Sequence, residues 1–596
     1  VLLCLRGVYP QVIEEVAESA DEFVESSELL DRLIELKKQP VDLSVASVQE
    51  LLRLPWLTRL MAEEIVRYRE TKGGIRHLSE LRSLLGFDWA LIERMSEFVI
   101  VGVAKKVERG VRVEERWRLQ WPAGNASDYP GDRNKLYGRS RISFRERYFV
   151  GFLVEKDAYE EQYIDYTSYF FQAIGMGPLR KMVAGYYDLE FGQGLLFSPM
   201  EFSVKSGGAI EGGDRGILPS RSSDENRALR GGAFALGVGR LDVLGFLSMR
   251  SLDAHIDDEG KVISLYETGL HRNEQELMKK DAITEKLIGG RVQGSGRGVS
   301  GGITLVRGEY SNPFDVPSFS GSGYSLMSGD VEARLNRTRF FGEGALSSEG
   351  GSGLLLGARV SVRRFSTGLM FRHYSDDFWS PHSSGFSEYD DQNERGMYCF
   401  AGFSTEKGTR VEAYFDMFRR LKPGAAGEFS DRGDELQVSV RQKISRLLSG
   451  EVRYRRKEKR ERLRESLRLE LDLEMGRLAT RARLEFSRAG IGGANETETG
   501  EMEYLNVKYS PWEWMELEGR VSFFSIDSYD CRVYTYERDL PGYLRNVALF
   551  GDGQRYYLLV QCTPMSWLEL TLKYGREKRE EVREEFGLQL DLVGFL

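Results

Sequence analysis

Four cysteines and five histidines bound the chemistry this chain could carry. Cys4, Cys399, Cys531 and Cys562 form no CxxC pair, which excludes zinc-ribbon and thioredoxin-type motifs. His77, His255, His271, His373 and His382 form no HxxxH or HExxH, which argues against a zinc hydrolase. His271, near Arg272 and Glu274, is the one histidine with tempting acid–base neighbours, but no Gly-x-Ser-x-Gly elbow supports it. Asp253, Asp257, Asp258 and Glu259 could hold calcium, yet they lack the EF-hand spacing and read as a solvated loop. Gly296, Gly298 and Gly301 fit a dinucleotide fingerprint by letters, but Ile303 to Gly308 reads as a strand where that motif needs a helix. The expectation is a protein that is not an enzyme and has no metal or small-molecule cofactor.

The elements that position these residues change character along the chain. Lys and Arg number 83 against 92 Asp and Glu, so there is no basic excess of the kind a nucleic-acid coat needs. Sixty-five glycines, 15 prolines and abundant Phe and Tyr favour turns and long paired strands. No apolar run is long enough for a transmembrane helix, which leaves a β-barrel open.

Val1 to Leu5 is apolar, and residues 1–7 read as the remnant of a secretory signal. Residues 10–39 read as an acidic helical segment that Pro40 stops. Residues 40–102 read as a small all-α domain with two helix-hairpin-helix units. Ser47 and Glu50 form a capping box, and Pro55 to Thr58 is a tight turn before a helix from Arg59 to Glu70. Gly73-Gly74 ends that helix, Ser79 is expected to cap a short helix through Leu85, and a last helix runs from Trp89 to Val99.

The pattern Asp42-Leu43-Ser44-Val45-Ala46-Ser47, Glu50-Leu51, Leu54-Pro55, Ile65-Val66, Tyr68-Arg69, Leu81 and Leu85-Gly86-Phe87 resembles the tandem helix-hairpin-helix module of the ComEA-type DNA-uptake proteins. In that family a Gly-hydrophobic-Gly hairpin brings backbone amides to a DNA phosphate. The resemblance makes Thr58, Arg59, Gly86 and Phe87 the candidate DNA-binding residues. Trp56 and Thr58 stand where the first hairpin's glycines are expected, and Asp88 replaces the second glycine of the other hairpin, where its charge would repel a phosphate. Residues 40–101 carry eight basic and nine acidic side chains, little for a counterion-driven interaction. Two readings stay open: a phosphate clamp, and a degenerate module that packs or binds protein.

From Val107 the apolar period becomes two. Leu467, Leu469, Leu471 and Leu473 alternate with Arg468, Glu470, Asp472 and Glu474, and as a helix these leucines would share no face. Similar runs recur around 411–417, 436–441, 515–523 and 568–574. Long strands with one greasy and one densely charged face predict a large transmembrane antiparallel β-barrel of roughly 22–26 strands over 107–596, with an ion-paired, wet lumen. The final run, Phe586, Leu588, Leu590 and Leu592, resembles the terminal signal strand of outer-membrane barrels. Residues 200–227, 268–285, 376–395 and 538–554 read as long loops that are extracellular or fold inward, with a short helix at 273–280.

The whole resembles uncharacterised bacterial outer-membrane proteins that join a helix-hairpin-helix module to a large barrel. Phe191-Gly192-Gln193-Gly194-Leu195, Ser223-Asp224-Glu225-Asn226-Arg227 and Gly269-Leu270-His271-Arg272 carry the barrel part of that resemblance. It implies an outer-membrane location with a lipid surround and this architecture, but no activity; the hairpin module, expected to be periplasmic, adds duplex DNA or a periplasmic protein as the partner. The functions that follow are DNA uptake or transport across the envelope. The alternative is a barrel for assembly, secretion or attachment whose module binds protein or plugs the lumen.

Overall fold

Along the strand Arg462–Met475, Leu467, Leu469 and Leu471 are 39, 37 and 53% exposed, whereas Arg468, Glu470 and Asp472 are 7, 6 and 5% exposed. A soluble sheet would bury the leucines. This inversion is the signature of a sheet whose outside faces hydrocarbon and whose charges line an enclosed interior. In the computed structural model, 24 antiparallel strands of 9–18 residues close into a single barrel. The first, Val111–Trp121, pairs with the last, Val582–Phe595, so the sheet has no free edge. The structure describes Glu14 and residues 28–596, apart from Leu85, 103–109, 125–128, 199–204, 206–213, 317–318, Glu349, Ser384, 390–392, 423–431, 492–496 and Leu596. The expected signal remnant and most of the acidic segment lie outside the described residues.

The two barrel ends differ. At one, every link between strands is two to four residues long, as at Arg297–Gly298, where Gly298 takes φ +75°. The fingerprint-like glycines therefore make a hairpin. Aromatics ring this end: Trp512 and Trp514 stack at 5.2 Å, and Phe365 lies opposite Phe403. At the other end the links include 191–228, 253–282, 375–393 and 527–550. Three short strands, Gly216–Pro219, Ala254–Ile256 and Val262–Leu265, extend the sheet there. The predicted helix at 273–280 is a single turn, Glu274–Leu277, capped by Asn273.

The lumen is filled rather than wet throughout. Phe191 and Phe197, from the 191–228 link, pack edge-on at 5.8 Å and meet Phe246 of the wall, and His382 stacks on Phe197. Elsewhere the interior is ion-paired, as the sequence predicts. Arg372 Nη1 meets Asp416 at 2.7 Å, and Lys205 joins Asp416 and Glu435 at 2.7 and 3.0 Å. From 527–550 a hairpin, Val533–Glu537 paired with Arg545–Leu549, descends the lumen. It is held by Arg555 to Glu537 (2.6 Å) and Lys573 to Asp539 (2.5 Å).

The helical module sits in the short-turn mouth. It comprises α1 (Glu28–Lys38), α2 (Val48–Leu51), α3 (Arg59–Lys72), a 3-10 turn (Leu78–Ser83) and α4 (Trp89–Ser96). A two-residue parallel bridge, Val41–Asp42 with Val99–Ile100, ties its ends together. The Ser47–Glu50 capping box forms, and Gly73 ends α3 at φ +74°. The expected Ser79-capped helix is instead the 3-10 turn. Glu80 Oε1 accepts from the Arg76 and His77 amides, both at 3.0 Å, and this starts the turn earlier and tightens it. Leu51, Leu54, Met61, Ile65 and Met95 form the module's core.

Candidate functional site

The hairpin faces of the module turn to the barrel wall. Thr58 is the N-cap of α3, and its hydroxyl donates to Glu332 Oε1 at 3.0 Å and accepts from Arg334 Nη2 at 3.2 Å. Arg59 Nη2 reaches Asp242 Oδ2 at 2.5 Å. Gly86, at φ +87°, lies so near the same Arg334 that a Cβ would stand 3.4 Å from its guanidinium. Phe87 is buried in the module's own core. Of the four predicted DNA-binding residues, the structure thus brings Thr58, Arg59 and Gly86 to the wall and leaves Phe87 inside.

The rest of that face is held in the same way. Asp88 caps α4 through the Leu91 amide and accepts from Arg359 Nη2 at 2.8 Å. Ser295 Oγ donates to Glu63 at 2.7 Å, and Arg334 Nη1 meets Glu64 at 3.2 Å. On other sides, Lys38 pairs with Glu569 at 2.9 Å, Gln39 donates to Glu114 at 3.3 Å, and Glu35 joins Arg141 and Arg221. Tyr536 and Leu544, from the descending hairpin, complete the module's hydrophobic core from within the lumen. The module is therefore gripped by strands spread around the circumference and touched by two inserts from the far mouth.

Charge fixes this docking. Burial alone would raise the Asp88 carboxyl, but Arg359 and the Leu91 amide together hold it below the usual range. Glu35 is likewise held well below it, because Arg221 and Arg141 outweigh the burial. Arg59 is pushed the other way: Asp242 overcomes the desolvation and keeps it charged.

A second cluster lies at the long-loop end. His271 Nε2 is 2.9 Å from Asp253 Oδ2, and Nδ1 is 3.3 Å from Asp165 Oδ2 and 3.9 Å from Glu225 Oε2. Glu160 Oε1 accepts from the His271 amide at 2.6 Å, and Lys280 pairs with Asp165. Burial and the neighbouring Asp165 push Glu160 up to about 8, and burial with the same charge pushes Glu225 up to about 9. Desolvation opposes the charge on His271, but Asp165 and Asp253 prevail and raise it to about 10. Sequence reasoning set His271 beside Arg272 and Glu274. In the structure Arg272 pairs with Glu276 at 2.7 Å instead, and the partners of His271 come from three separate links. Of the four acids weighed for calcium, Asp253 joins this cluster, while Asp257 closes a turn by accepting from the Glu259 and Lys261 amides.

Residues 36–100 match the helix-hairpin-helix motif family. No curated protein matches the chain. Among solved structures, the chain is similar to the translocation pore of the P pilus usher PapC, at 8% identity over 81% of this chain and 100% of that one, with a TM-score of 0.37. It is similar to the siderophore receptor PirA from Pseudomonas aeruginosa, at 8% identity over 84% and 83%, with a TM-score of 0.41. It is also similar to a porin, at 11% identity over 46% and 93%, with a TM-score of 0.28. None of these likenesses bears on activity. The assignment of an outer-membrane-type barrel with an N-terminal helix-hairpin-helix module rests on the closed ladder, the inverted exposure and the motif.

Two features escaped the sequence. The wall partners of the module, Asp242, Glu332, Arg334 and Arg359, are inward positions of ordinary strands and carry no linear signal. The acid at position 88 was a signal: a carboxylate where a phosphate-facing glycine is expected suits a cationic partner such as Arg359.

Proposed function

We propose that this protein is a non-enzymatic, plugged conduit of the bacterial outer membrane, in which the helix-hairpin-helix module closes the periplasmic mouth until a periplasmic partner draws it out. The observation that carries this reading is the engagement of both hairpins by the wall, Thr58 with Glu332 and Asp88 with Arg359. A module built to face solvent would leave those groups free. The lumenal hairpin supports the same reading, since Tyr536 and Leu544 make a seat for the module. The Thr58–Glu332 and Asp88–Arg359 contacts are buried, so a partner that draws the module out must supply matching groups to both sides of each pair. In planar bilayers the full chain should show low conductance that rises when the module is weakened by Arg359→Ala with Asp242→Ala. A wild-type chain that already conducts as openly as this variant would sink the proposal.

The family match over 36–100 favours a second reading, in which the released module captures duplex DNA for transport. DNA phosphates would then replace Asp242 at Arg59 and Glu332 at Thr58. The full-length Arg359→Ala, Asp242→Ala variant should bind duplex DNA at low salt more tightly than wild type, with binding weakened by salt. No binding by either chain at low salt removes DNA and leaves protein as the partner class.

A further inference from the structure

The cluster around His271 stands outside the plug and its mouth, and it has the residue types and spacing to hold a bound ion. Glu160 is 1% exposed, and its Oε1 is taken by the His271 amide. Its other oxygen, Oε2, is buried without a hydrogen-bond donor. A buried carboxyl oxygen left in that state is an unmet acceptor that a cation would answer. The oxygens of Glu160 and Asp165 and a ring nitrogen of His271 lie within 4.8 Å of one another, and Glu225 and Asp253 with His271 meet the same limit.

We propose that Glu160, Asp165, Glu225 and the Nδ1 atom of His271 bind one divalent first-row transition-metal ion, of the zinc or manganese type. Ligand atoms of a tetrahedral zinc ion stand roughly 3.3 Å apart, as its bond lengths of about 2 Å require. Nδ1 is already 3.3 Å from Asp165 and 3.9 Å from Glu225, and binding exchanges the Nδ1 proton and the protons on the Glu160 and Glu225 carboxyls for the ion. The imidazole selects against calcium and magnesium, which take oxygen ligands.

The surroundings complete the design. A ligating histidine usually presents its other ring nitrogen to a carboxylate, which fixes the tautomer and strengthens the ligand. Here Asp253 takes that place at 2.9 Å from Nε2 and is itself pinned by the Asp281 amide at 2.8 Å and by Asn226 Nδ2 at 3.3 Å. Asp253 is thus a positioning residue. Lys280 occupies Asp165 Oδ1, which leaves Oδ2 turned to His271. The four ligands come from the links 157–165, 191–228 and 253–282, so one ion would staple three loops across the far mouth. Closing long loops is where such a clip restricts the unfolded chain most.

The test uses the folded full chain in detergent, stripped with chelator and reloaded with Zn²⁺, Mn²⁺, Ca²⁺ or Mg²⁺ in turn. One Zn²⁺ per chain should survive dialysis, with Ca²⁺ and Mg²⁺ held at least about tenfold more weakly. Glu160→Gln and His271→Gln should each lower Zn²⁺ affinity, and Asp253→Asn should lower it by about 10- to 100-fold. Zn²⁺ should also slow proteolysis within 253–282 of the wild-type chain. Variants are checked for heat-modifiable gel migration. If one fails to fold, echo-modulation spectra of the Mn²⁺-loaded wild type decide, and coupling to a histidine nitrogen is expected. Wild type without retained Zn²⁺, an all-oxygen spectrum, Ca²⁺ held as tightly as Zn²⁺, or equal Zn²⁺ affinity in folded Glu160→Gln and His271→Gln would each overturn the site.

Discussion

Asp88 serves the module and the barrel at once: Oδ1 accepts from the Leu91 amide at 2.8 Å and starts α4, while Oδ2 accepts from Arg359 Nη2 at 2.8 Å across the interface. Both side chains are buried. Truncating one partner of a buried pair leaves the other uncompensated, at a cost of about 3–5 kcal/mol. Arg359→Ala should therefore loosen the module without unfolding either part, since the cap to Leu91 survives. Asp88→Ala loses the pair and the cap together and should also destabilise α4, by about 1 kcal/mol more. Protease cleavage within 36–100 of the membrane-embedded chain should accelerate in both. The double variant should fall well short of the sum of the singles, because they break one shared interaction.

The same carboxylates set a pH dependence. Asp88 and Glu35 both titrate below their ordinary values of 3.8 and 4.5 when the module is docked. A group whose pKa is lowered by docking contributes fully above its undocked value, and that contribution disappears as pH falls through the docked one. Docking should be flat from neutral pH down to about 5 and weaken progressively below about 4. Conductance and cleavage within 36–100, followed from pH 8 to 3, check this. A loss of docking between pH 7 and 6 would point to a histidine instead of these pairs.

Leu544 is fully buried where the lumenal hairpin meets the module. Leu544→Ala removes buried apolar volume that α-helical and β-hairpin atoms can only partly refill, at about 2–5 kcal/mol. The module–hairpin contact should weaken by roughly tenfold or more, since about 1.4 kcal/mol is a factor of ten. Single-channel records of this variant should show longer or more frequent openings than wild type, while the Leu540→Ala control, with its side chain against Gly587 of the wall, should perturb the hairpin without touching the module.

The architecture was legible because it rests on local patterns. Alternation at 467–474 fixes which side chains face out, and the Ser47–Glu50 box and Gly73 fix helix ends within a few residues. The site was legible only in its residue types. Thr58 and Arg59 stand out as hairpin residues, but their partners Glu332 and Asp242 are 274 and 183 positions away. Strand alternation says that these acids point inward and is silent on what they meet there. The same holds for His271, whose neighbours Glu160 and Asp165 belong to another link more than a hundred residues earlier. The wet lumen was overestimated for a physical reason. The inward positions of 183–187 and 244–246 include Val183, Tyr187 and Phe246, which cluster with the inserted Phe191 and Phe197, and Tyr310 packs against Trp379 of the 375–393 link at 6.0 Å.

The outer face gives the most direct test of the medium. Leu469 lies opposite Val452 on one side and Leu484 on the other, and all three are exposed, forming part of a continuous apolar belt. If hydrocarbon covers this belt, Leu469→Arg places a charge near mid-strand where no water can solvate it, at about 2–4 kcal/mol. Leu469→Ala should cost less, because it adds no charge. The inward neighbour behaves oppositely: Arg468→Leu leaves Glu485, now 2.8 Å from Arg468, to the more distant Arg483 at 4.0 Å, and should destabilise although it adds apolar surface. Urea titration of the chain folded into vesicles measures all three. A neutral Leu469→Arg there, with a destabilising Arg468→Leu, would mean that water rather than lipid covers the leucines, and the membrane assignment would fall while the barrel stood.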